Sequence, residues 1–316
     1  MDVYLSGTYG RPFVIKELEE MDFYIGSPHS EIREPDRKEC FGDVDMYLAG
    51  PNAGNINKED REKCYSLPKL DILESFIYIQ DWMLPYIDNK VWHFMLDSGA
   101  FTFMDQKAQG VKSMVDKESV NWSDYVRRYA DFIIEHNIEL FFELDIDVVV
   151  GFDEVKKLRK QLEARTGKRS IPVWHKSRGL QNWKDTVKEY DYVAIGGIVS
   201  GEIKRGERKF FNPMCDIAHS HNTRVHGLGV SPSGQNGAVV PSQTGLRQYR
   251  FDSVDSTNWT MGNRAGFICH FDGNDIRKLH KPEGSMMKAR EAAKHNFKEW
   301  VKYQRYMKHA GWRLEP

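Results

Sequence analysis

Short apolar segments in the middle of this chain end on side chains that could perform acid–base or nucleophilic chemistry. The first of them, WHFMLD at 92–97, ends on Asp97 and is followed by Ser-Gly-Ala. Later segments end on a carboxylate, an imidazole or a glycine pair: Asp145 with Asp147, His175, Gly196 with Gly197, Gly227 to Gly229, and Asp252 or Asp255. One such aspartate is more often a helix cap or a turn residue. Their repetition indicates a site, because the carboxyl ends of parallel strands meet on one rim.

This set of groups fits one class of chemistry well. Two carboxylates across a pocket can serve as nucleophile and as acid/base at an anomeric carbon. A third carboxylate can accept hydrogen bonds from the N–H edge of a guanine-type base, and glycine pairs expose backbone groups to a flat ligand. The chain contains no Walker loop, HExxH sequence or Cys/His metal set that competes with this interpretation. The sequence therefore predicts glycosyl transfer or glycoside cleavage.

Composition and length are those of a large soluble enzyme. The 316 residues are 40% hydrophobic and 29% charged, with a net charge of −1. Four scattered cysteines without a CxxC pair argue against a disulfide framework and a cysteine-rich zinc site. With no secretory segment and no apolar run near 18 residues, we expect a cytoplasmic protein without a membrane partner. We expect no metal and no cofactor.

Elements that would position these residues follow a strand–helix rhythm. We expect a helix over 72–87, and then strands at 92–97, 138–147, 170–176, 191–198, 223–230, 249–256 and 266–271. Between these strands we expect helices near 122–136, 153–166, 181–189, 211–220 and 241–248. Two short apolar strands are also expected at 3–7 and 46–50. Seven or eight strands favour a closed (β/α)₈ barrel over an open sheet, and no linker divides the single domain over 1–316.

The C-terminal segment is basic. From Arg277 to Arg313 there are eleven Lys/Arg and three Glu, with aromatic residues at helical spacing. This pattern predicts an amphipathic helix with one packed face and one basic face. Such a helix is either a solvated cap on the barrel or a surface that follows the phosphates of a nucleic acid.

Four segments, in chain order, resemble the motifs of tRNA-guanine transglycosylases. LDSGAFT (96–102) resembles DSGGFQ, and VAIGGIVSGE (193–202) resembles IGGLAVGE. HGLGVSP (226–232) is similar to LMGVGTP, and FDSVDS (251–256) is similar to IDMFDC. The match covers roughly residues 92–260. Members of this family are (β/α)₈ barrels that exchange a guanine for a 7-substituted 7-deazaguanine without breaking the nucleic-acid backbone.

The resemblance implies roles in the reaction. Asp255 matches the nucleophile when FDSVDS is aligned with IDMFDC. The alternative alignment, with Asp252 as nucleophile, leaves the second aspartate unmatched. Asp97 matches the general acid/base. Ser98 matches a neighbour that contacts the substrate, and Phe101 matches the aromatic residue that stacks on the base.

Further matches concern recognition of the base. Asp145, in LDID, resembles the carboxylate that reads the guanine edge. Asp153, in GFDE, is its rival by motif, and we expect this residue to cap the following helix instead. His175 lies where the family places a glutamine near the base. Gly196 and Gly197 match the backbone contacts to the ligand.

Departures from the family pattern point to its DNA-acting branch. The chain lacks the CxCxxC…H zinc subdomain, and Thr257-Asn258-Trp259 stands where the tRNA enzymes have PTR. The resemblance is therefore closest to the 7-deazaguanine DNA transglycosylases of phages and bacterial modification systems. It implies DNA as guanine acceptor and a free 7-deazaguanine such as preQ0 as incoming base, in the host cytoplasm if the protein is phage-encoded. The alternatives are a tRNA transglycosylase of atypical build and a non-catalytic partner subunit, which should have lost an aspartate.

Overall fold

The structure, a computed structural model, describes residues 22–26, 69–99, 120–230, 246, 249–260, 267–273, 275–280 and 288–309. Phe101 lies outside the described residues, as do the expected strands at 3–7 and 46–50 and nearly all of the expected helix at 241–248. The chain divides into two compact units. The central unit is Asp43–Val173, and the terminal unit combines Met1–Gly42 with Trp174–Pro316.

Strands and helices alternate through most of the described residues. The strands are β1 (Asp22–Gly26), β2 (Leu70–Ser75), β3 (Trp92–Asp97), β4 (Leu140–Phe141), β5 (Val173–Trp174), β6 (Tyr192–Ile195), β7 (Arg224–Gly227), β8 (Ser253–Ser256), β9 (Phe267–Phe271) and β10 (Ile276–His280). The helices are α1 (Leu84–Asp88), α2 (Trp122–Glu135), α3 (Asp147–Val150), α4 (Phe152–Thr166), α5 (Gly179–Glu189), α6 (Phe211–His219) and α7 (Ala289–His309). The predicted mixed α/β class is confirmed.

Parallel pairing organises the central unit. Strands β2 and β3 pair in register over six residues, from Leu70 opposite Trp92 to Ser75 opposite Asp97, and β4 pairs with the other edge of β3. Helix α2 begins at the cap residue Asn121, whose side chain accepts the Asp124 N–H at 3.1 Å. The register places Asp97 at the carboxyl end of its strand, as the sequence predicted.

Two sequence predictions for the central unit are wrong. Residues 72–87 are not one helix, since β2 occupies Leu70–Ser75 and short 3₁₀ turns separate it from α1. The strand is buried on both faces, so its apolar run carries no period-two signal. The strand expected at 138–147 is only Leu140–Phe141. Beyond it, the Val173 N–H donates to the Glu143 side chain at 2.8 Å instead of to a backbone carbonyl of this segment, and Asp147 already begins α3.

The terminal unit contains a second set of parallel strands, in the order β1-β8-β7-β6. Strand β1, which the sequence did not predict, pairs along β8 with Tyr24 opposite Asp255. Helix α7 packs on β9 and β1, and its apolar residues Ala293, Phe297 and Trp300 are buried. The expected strand at 266–271 is present as β9, but it forms an antiparallel hairpin with β10. No described helix is long and apolar enough to cross a membrane.

Candidate active site

Asp255 is held near the carboxyl end of β8 in the terminal unit. It is the third residue of the four-residue strand and is only 7% exposed. One carboxylate oxygen, Oδ1, accepts two hydrogen bonds, from the Gly229 N–H at 2.7 Å and from His226 Nε2 at 3.2 Å. A carboxylate fixed at the end of a parallel strand is in the position where such folds place reactive groups.

Gly229 can donate to Asp255 because its backbone is left-handed. Its φ is +69°, which disfavours residues with a Cβ atom. A Cβ at this position would also lie 2.3 Å from Cγ2 of Val199. The turn after β7 therefore requires glycine here, and that turn aims the N–H at the carboxylate.

A buried chain of polar side chains continues from Asp255. His226 Nδ1 lies 2.5 Å from the Ser253 hydroxyl, which is also hydrogen-bonded to the Tyr192 hydroxyl. His226 and Ser253 are fully buried and are paired in register on β7 and β8. Four residues on three neighbouring strands thus form a chain of hydrogen bonds, which runs Tyr192–Ser253–His226–Asp255.

Asp252 has a different environment. It precedes β8, at the amino end of the strand, and is 4% exposed. Its Oδ2 accepts the Val225 N–H at 2.6 Å and contacts His219 Nε2 at 2.9 Å. These contacts tie the start of β8 to β7 and to the end of α6. Asp252 therefore serves the local packing of these elements, at the end of the strand opposite to Asp255.

His175 and Glu202 form a second polar cluster of the terminal unit. His175 Nδ1 lies 2.9 Å from Glu202 Oε2, and the other carboxylate oxygen accepts the Ser177 N–H at 2.7 Å. Burial alone would raise the pKa of Glu202, but the hydrogen bonds from His175 and Ser177 outweigh it and lower this pKa. Because a carboxylate only accepts hydrogen bonds, His175 carries its proton on Nδ1.

Gly196 and Gly197 lie between β6 and this cluster. The Gly196 N–H donates to the Trp174 carbonyl at 2.9 Å, and the Gly197 carbonyl accepts from Ile203 at 2.9 Å. Gly197 has φ +80°, and a Cβ there would approach Glu202 Oε2 to 2.8 Å. A ligand contact from Gly196 would therefore use its carbonyl, since its N–H is engaged in the sheet.

Asp97 ends β3 in the central unit, where two tyrosines of α2 brace the backbone around it. Its Oδ2 accepts the Gly99 N–H at 3.1 Å. The Tyr129 hydroxyl donates to the carbonyl of Leu96 at 3.1 Å, and the Tyr125 hydroxyl donates to the carbonyl of Ser98 at 2.5 Å. Burial, and secondarily the charge of Asp97, raise the pKa of both phenols, so they stay protonated donors.

Gly99 closes the turn after Asp97. Its φ is +80°, and a Cβ there would lie 3.0 Å from Ser75 Oγ and 3.1 Å from Ile77. Ser98 is completely buried beside it. The small residues after Asp97 therefore let the chain turn tightly against β2, and this turn aims an N–H at the carboxylate.

The other carboxylates of the central unit have distinct environments. Asp145 is half-buried in the loop between β4 and α3. Asp153 lies in the first turn of α4, where Lys156 lowers its pKa, and the cap residue is Gly151, so the expected cap role was wrong. Glu143 is fully buried, with Arg159 3.3 Å from its Oε2. Asp145 and Asp147 are thus both partly accessible carboxylates of the LDID segment, whereas Glu143 is a packing residue.

Sequence reasoning missed several residues around Asp255. His226, Ser253 and Tyr192 received no role, and Gly229 was expected only to expose backbone groups to a ligand, although HGLGV and FDSVDS were both recognised as motifs. A signal was present in β8, where Ser253 and Asp255 are two apart and so project from the same face of the strand. Glu202 was missed as well, at the end of VAIGGIVSGE.

The basic C-terminal segment forms the amphipathic helix that the sequence predicts. Phe297, Trp300 and Tyr303 are buried on the packed face of α7. Among the α7 residues whose exposure the structure describes, the exposed basic ones are Arg290, Lys298, Lys302 and Arg305. Lys302 Nζ lies 2.5 Å from Glu299 Oε1, and Lys294 lies 3.9 Å from Glu291. These two lysines therefore add less net positive charge to the surface than the sequence count suggests.

No protein-family model matches the chain, and no curated protein is significantly similar to it.

Proposed function

We propose that this protein is a DNA-guanine transglycosylase, which exchanges guanine in DNA for a 7-substituted 7-deazaguanine such as preQ0. The observation that carries the proposal is the contrast between the two aspartates of FDSVDS. Asp255 lies near the carboxyl end of β8 and both of its hydrogen bonds among the described residues fall on one oxygen, whereas Asp252 is bound into the packing at the opposite end. This contrast supports the alignment in which Asp255 is the nucleophile.

The proposed reaction proceeds in two displacements. A carboxylate oxygen of Asp255 bonds to C1′ of the target nucleotide while the bond from C1′ to guanine breaks, and Asp97 donates a proton to the leaving base. The incoming 7-deazaguanine then gives its proton to Asp97 and attacks C1′, which releases the Asp255 ester. Each bond broken is matched by one formed, so no oxidant, reductant or cofactor is needed.

The proposal extends to the arrangement of the whole chain. In it, the parallel strands of both units belong to one (β/α)₈ barrel of the transglycosylase type, formed by a single domain over 1–316. Asp97 then acts on the same base as Asp255, and Asp145 reads the guanine edge. In this proposal Ser98 contacts the substrate, and the Phe101 ring stacks on the base. His175, oriented by Glu202, and the backbone of Gly196 and Gly197 complete the proposed base contacts.

DNA is the proposed acceptor for two reasons. The sequence lacks the zinc subdomain of the tRNA enzymes. In addition, α7 presents exposed basic side chains, and a surface that binds the phosphates of a nucleic acid needs such positive charges. The target guanine must be flipped out or single-stranded, because a base inside a duplex cannot reach a carboxylate at the end of a strand. Flipping costs a few kcal/mol, which contacts to the phosphates would help offset.

The test is base exchange with purified protein. Guanine-containing DNA and tRNA are incubated separately with labelled preQ0, and the nucleosides are then analysed by mass spectrometry. We expect preQ0 in DNA, with one free guanine released for each preQ0 incorporated, and no incorporation by Asp255→Asn. Incorporation into tRNA with none into DNA would replace the DNA proposal with the tRNA alternative. Absence of exchange in both nucleic acids, also in cells that supply a 7-deazaguanine, would contradict the transglycosylase function.

A further inference from the structure

The hydrogen bonds of Asp255 distinguish its two oxygens. Among the residues that the structure describes, two donors reach the carboxylate, the Gly229 N–H and His226 Nε2, and both bind Oδ1. The donors come from two points on the chain, β7 and the turn that follows it. A hydrogen bond to a carboxylate oxygen stabilises negative charge on that oxygen and makes it a poorer nucleophile. The two oxygens of Asp255 are therefore not equivalent, and Oδ2 is the more nucleophilic one.

His226 can donate to Asp255 only in one of its two neutral tautomers. A carboxylate has no proton to give, so the proton of this hydrogen bond belongs to Nε2. In the neutral ring, Nδ1 is then an acceptor, and the Ser253 hydroxyl 2.5 Å away supplies its proton. The Ser253 oxygen can in turn accept the Tyr192 hydroxyl proton. The donors thus run in one direction, from Tyr192 through Ser253 and His226 to Asp255.

Packing fixes this arrangement on rigid elements. Tyr192, His226 and Ser253 lie on the adjacent strands β6, β7 and β8, and their side chains are 7% exposed or less. The Tyr24 ring meets the His226 ring edge-on, with 6.0 Å between centroids, and Tyr24 is itself buried opposite Asp255 in the register. The imidazole is therefore constrained by hydrogen bonds at both nitrogens and by an aromatic contact.

We propose that His226 is a positioning residue for Asp255: together with the Gly229 N–H it anchors Oδ1, so that Oδ2 is the oxygen that attacks C1′. The identity of the attacked carbon rests on the proposed transglycosylase function, but the anchoring of Oδ1 does not. Ser253 and Tyr192 act one and two steps further away, since they hold His226 in the tautomer that donates from Nε2.

A matched set of substitutions at His226 tests the role through kinetics. His226→Gln keeps an N–H donor near the position of Nε2, whereas His226→Asn keeps polar atoms only near Nδ1 and Ser253. His226→Phe keeps a ring of similar shape without donors. We expect Phe and Asn to lower kcat about 10²-fold with KM nearly unchanged, as for a misplaced reacting group, and Gln to recover most of the activity. Equal kcat in wild type and His226→Phe would overturn the proposal.

A spectroscopic test needs no substrate. Protein labelled with ¹⁵N-histidine reports which imidazole nitrogen carries the proton, and the His226 signal is assigned by its loss in His226→Gln. We expect a protonated Nε2 and an unprotonated Nδ1, with Ser253→Ala shifting protons toward Nδ1. A proton found on Nδ1 alone in the wild type would overturn the proposal, because Nε2 could not then donate to Asp255. This test needs folded His226→Gln for the assignment, but it does not depend on the catalytic activity of any variant.

The two tests separate the failure of this proposal from the failure of the proposed function. If the wild type exchanges bases but His226→Phe has unchanged kcat, the function stands and the positioning role is refuted. If the wild type exchanges no base in DNA or tRNA, the function is refuted. The histidine signals then still decide whether His226 donates to Asp255.

Discussion

Replacing Gly229 with alanine should misplace Asp255 and slow base exchange. The added Cβ meets two separate obstacles. An L-residue at φ +69° costs about 1–2 kcal/mol, and the Cβ would lie 2.3 Å from Cγ2 of Val199, which is far inside van der Waals contact. The backbone must therefore shift, and the N–H that holds Asp255 Oδ1 at 2.7 Å shifts with it.

Gly201 offers a matched control in the same unit. Its φ is +78°, but a Cβ there would meet no atom within 4 Å. Gly201→Ala therefore incurs the backbone strain without the collision. We expect both variants to lose a few degrees of Tm, corresponding to about 1–2 kcal/mol. Only Gly229→Ala should lose kcat, by about 10- to 100-fold, because a displacement near 1 Å at a reacting group can cost about 10²-fold.

A second substitution checks the physical cause. Val199→Ala removes the Cγ2 atom that the new Cβ would strike, and Val199 is 57% exposed, so this change alone should be mild. We expect the double variant Gly229→Ala/Val199→Ala to recover part of the lost kcat, which a double-mutant cycle measures as coupling. If Gly229→Ala is as active as Gly201→Ala, or if Val199→Ala gives no recovery, the anchoring of Asp255 by this turn is not what controls the rate.

The remaining predictions concern the acid/base, the second polar cluster and the basic helix. Asp97→Ala should lower kcat by about 10²–10⁴-fold while DNA binding by fluorescence anisotropy stays intact; normal turnover would move the acid/base role elsewhere. The wild type should be more stable than Glu202→Gln, because the pKa of Glu202 is lowered in the folded protein. This advantage should be full above the ordinary carboxyl pKa of 4.5 and should be lost as pH falls through the lowered folded pKa, which Tm values at pH 7 and below pH 4 measure. A difference in Tm that does not change with pH would refute an ionised Glu202 beside His175. Neutralising three exposed residues of α7 should weaken DNA binding at all sequences and reduce the salt slope by about 3, with unchanged exchange at saturating DNA: Arg290, Lys298 and Arg305. The control set should have a smaller effect, because its three cations lie on α4 and not on α7: Lys156, Lys157 and Arg165. Equal effects of the two sets would make α7 an ordinary packed cap.

The helices were predictable from the sequence because their periodicity is local. The four expected helices between 122 and 220 begin and end within two residues of α2, α4, α5 and α6. Strands were less predictable, and two of them lack the alternating pattern that would identify them, for different reasons. β2 is buried on both faces and β1 has only five residues, so neither shows alternation. Pairing with β3 and β8, which are distant in sequence, makes these segments strands.

The sequence was sufficient to predict where the candidate site residues lie along their strands, but not which groups surround them. Motif spacing placed Asp97 and Asp255 at strand ends, and the structure has both there. The sequence could not show that the Asp252 carboxylate is hydrogen-bonded to the Val225 N–H and to His219, because these contacts arise from the pairing of β7 with β8. The partner of His175 was equally hidden, since Glu202 lies 27 residues away and reaches the ring through the turn after β6.

The most direct test of the central claim is to locate the covalent bond between protein and DNA. The protein is incubated with guanine-containing DNA without an incoming base, denatured, and digested with nuclease and trypsin. Cleavage after Arg250 and Arg264 places both aspartates of FDSVDS in one peptide, and fragmentation distinguishes them. We expect a nucleotide remnant on Asp255 that disappears when free 7-deazaguanine is added before denaturation. A remnant on Asp252, or an adduct that persists in Asp255→Asn, would contradict the account.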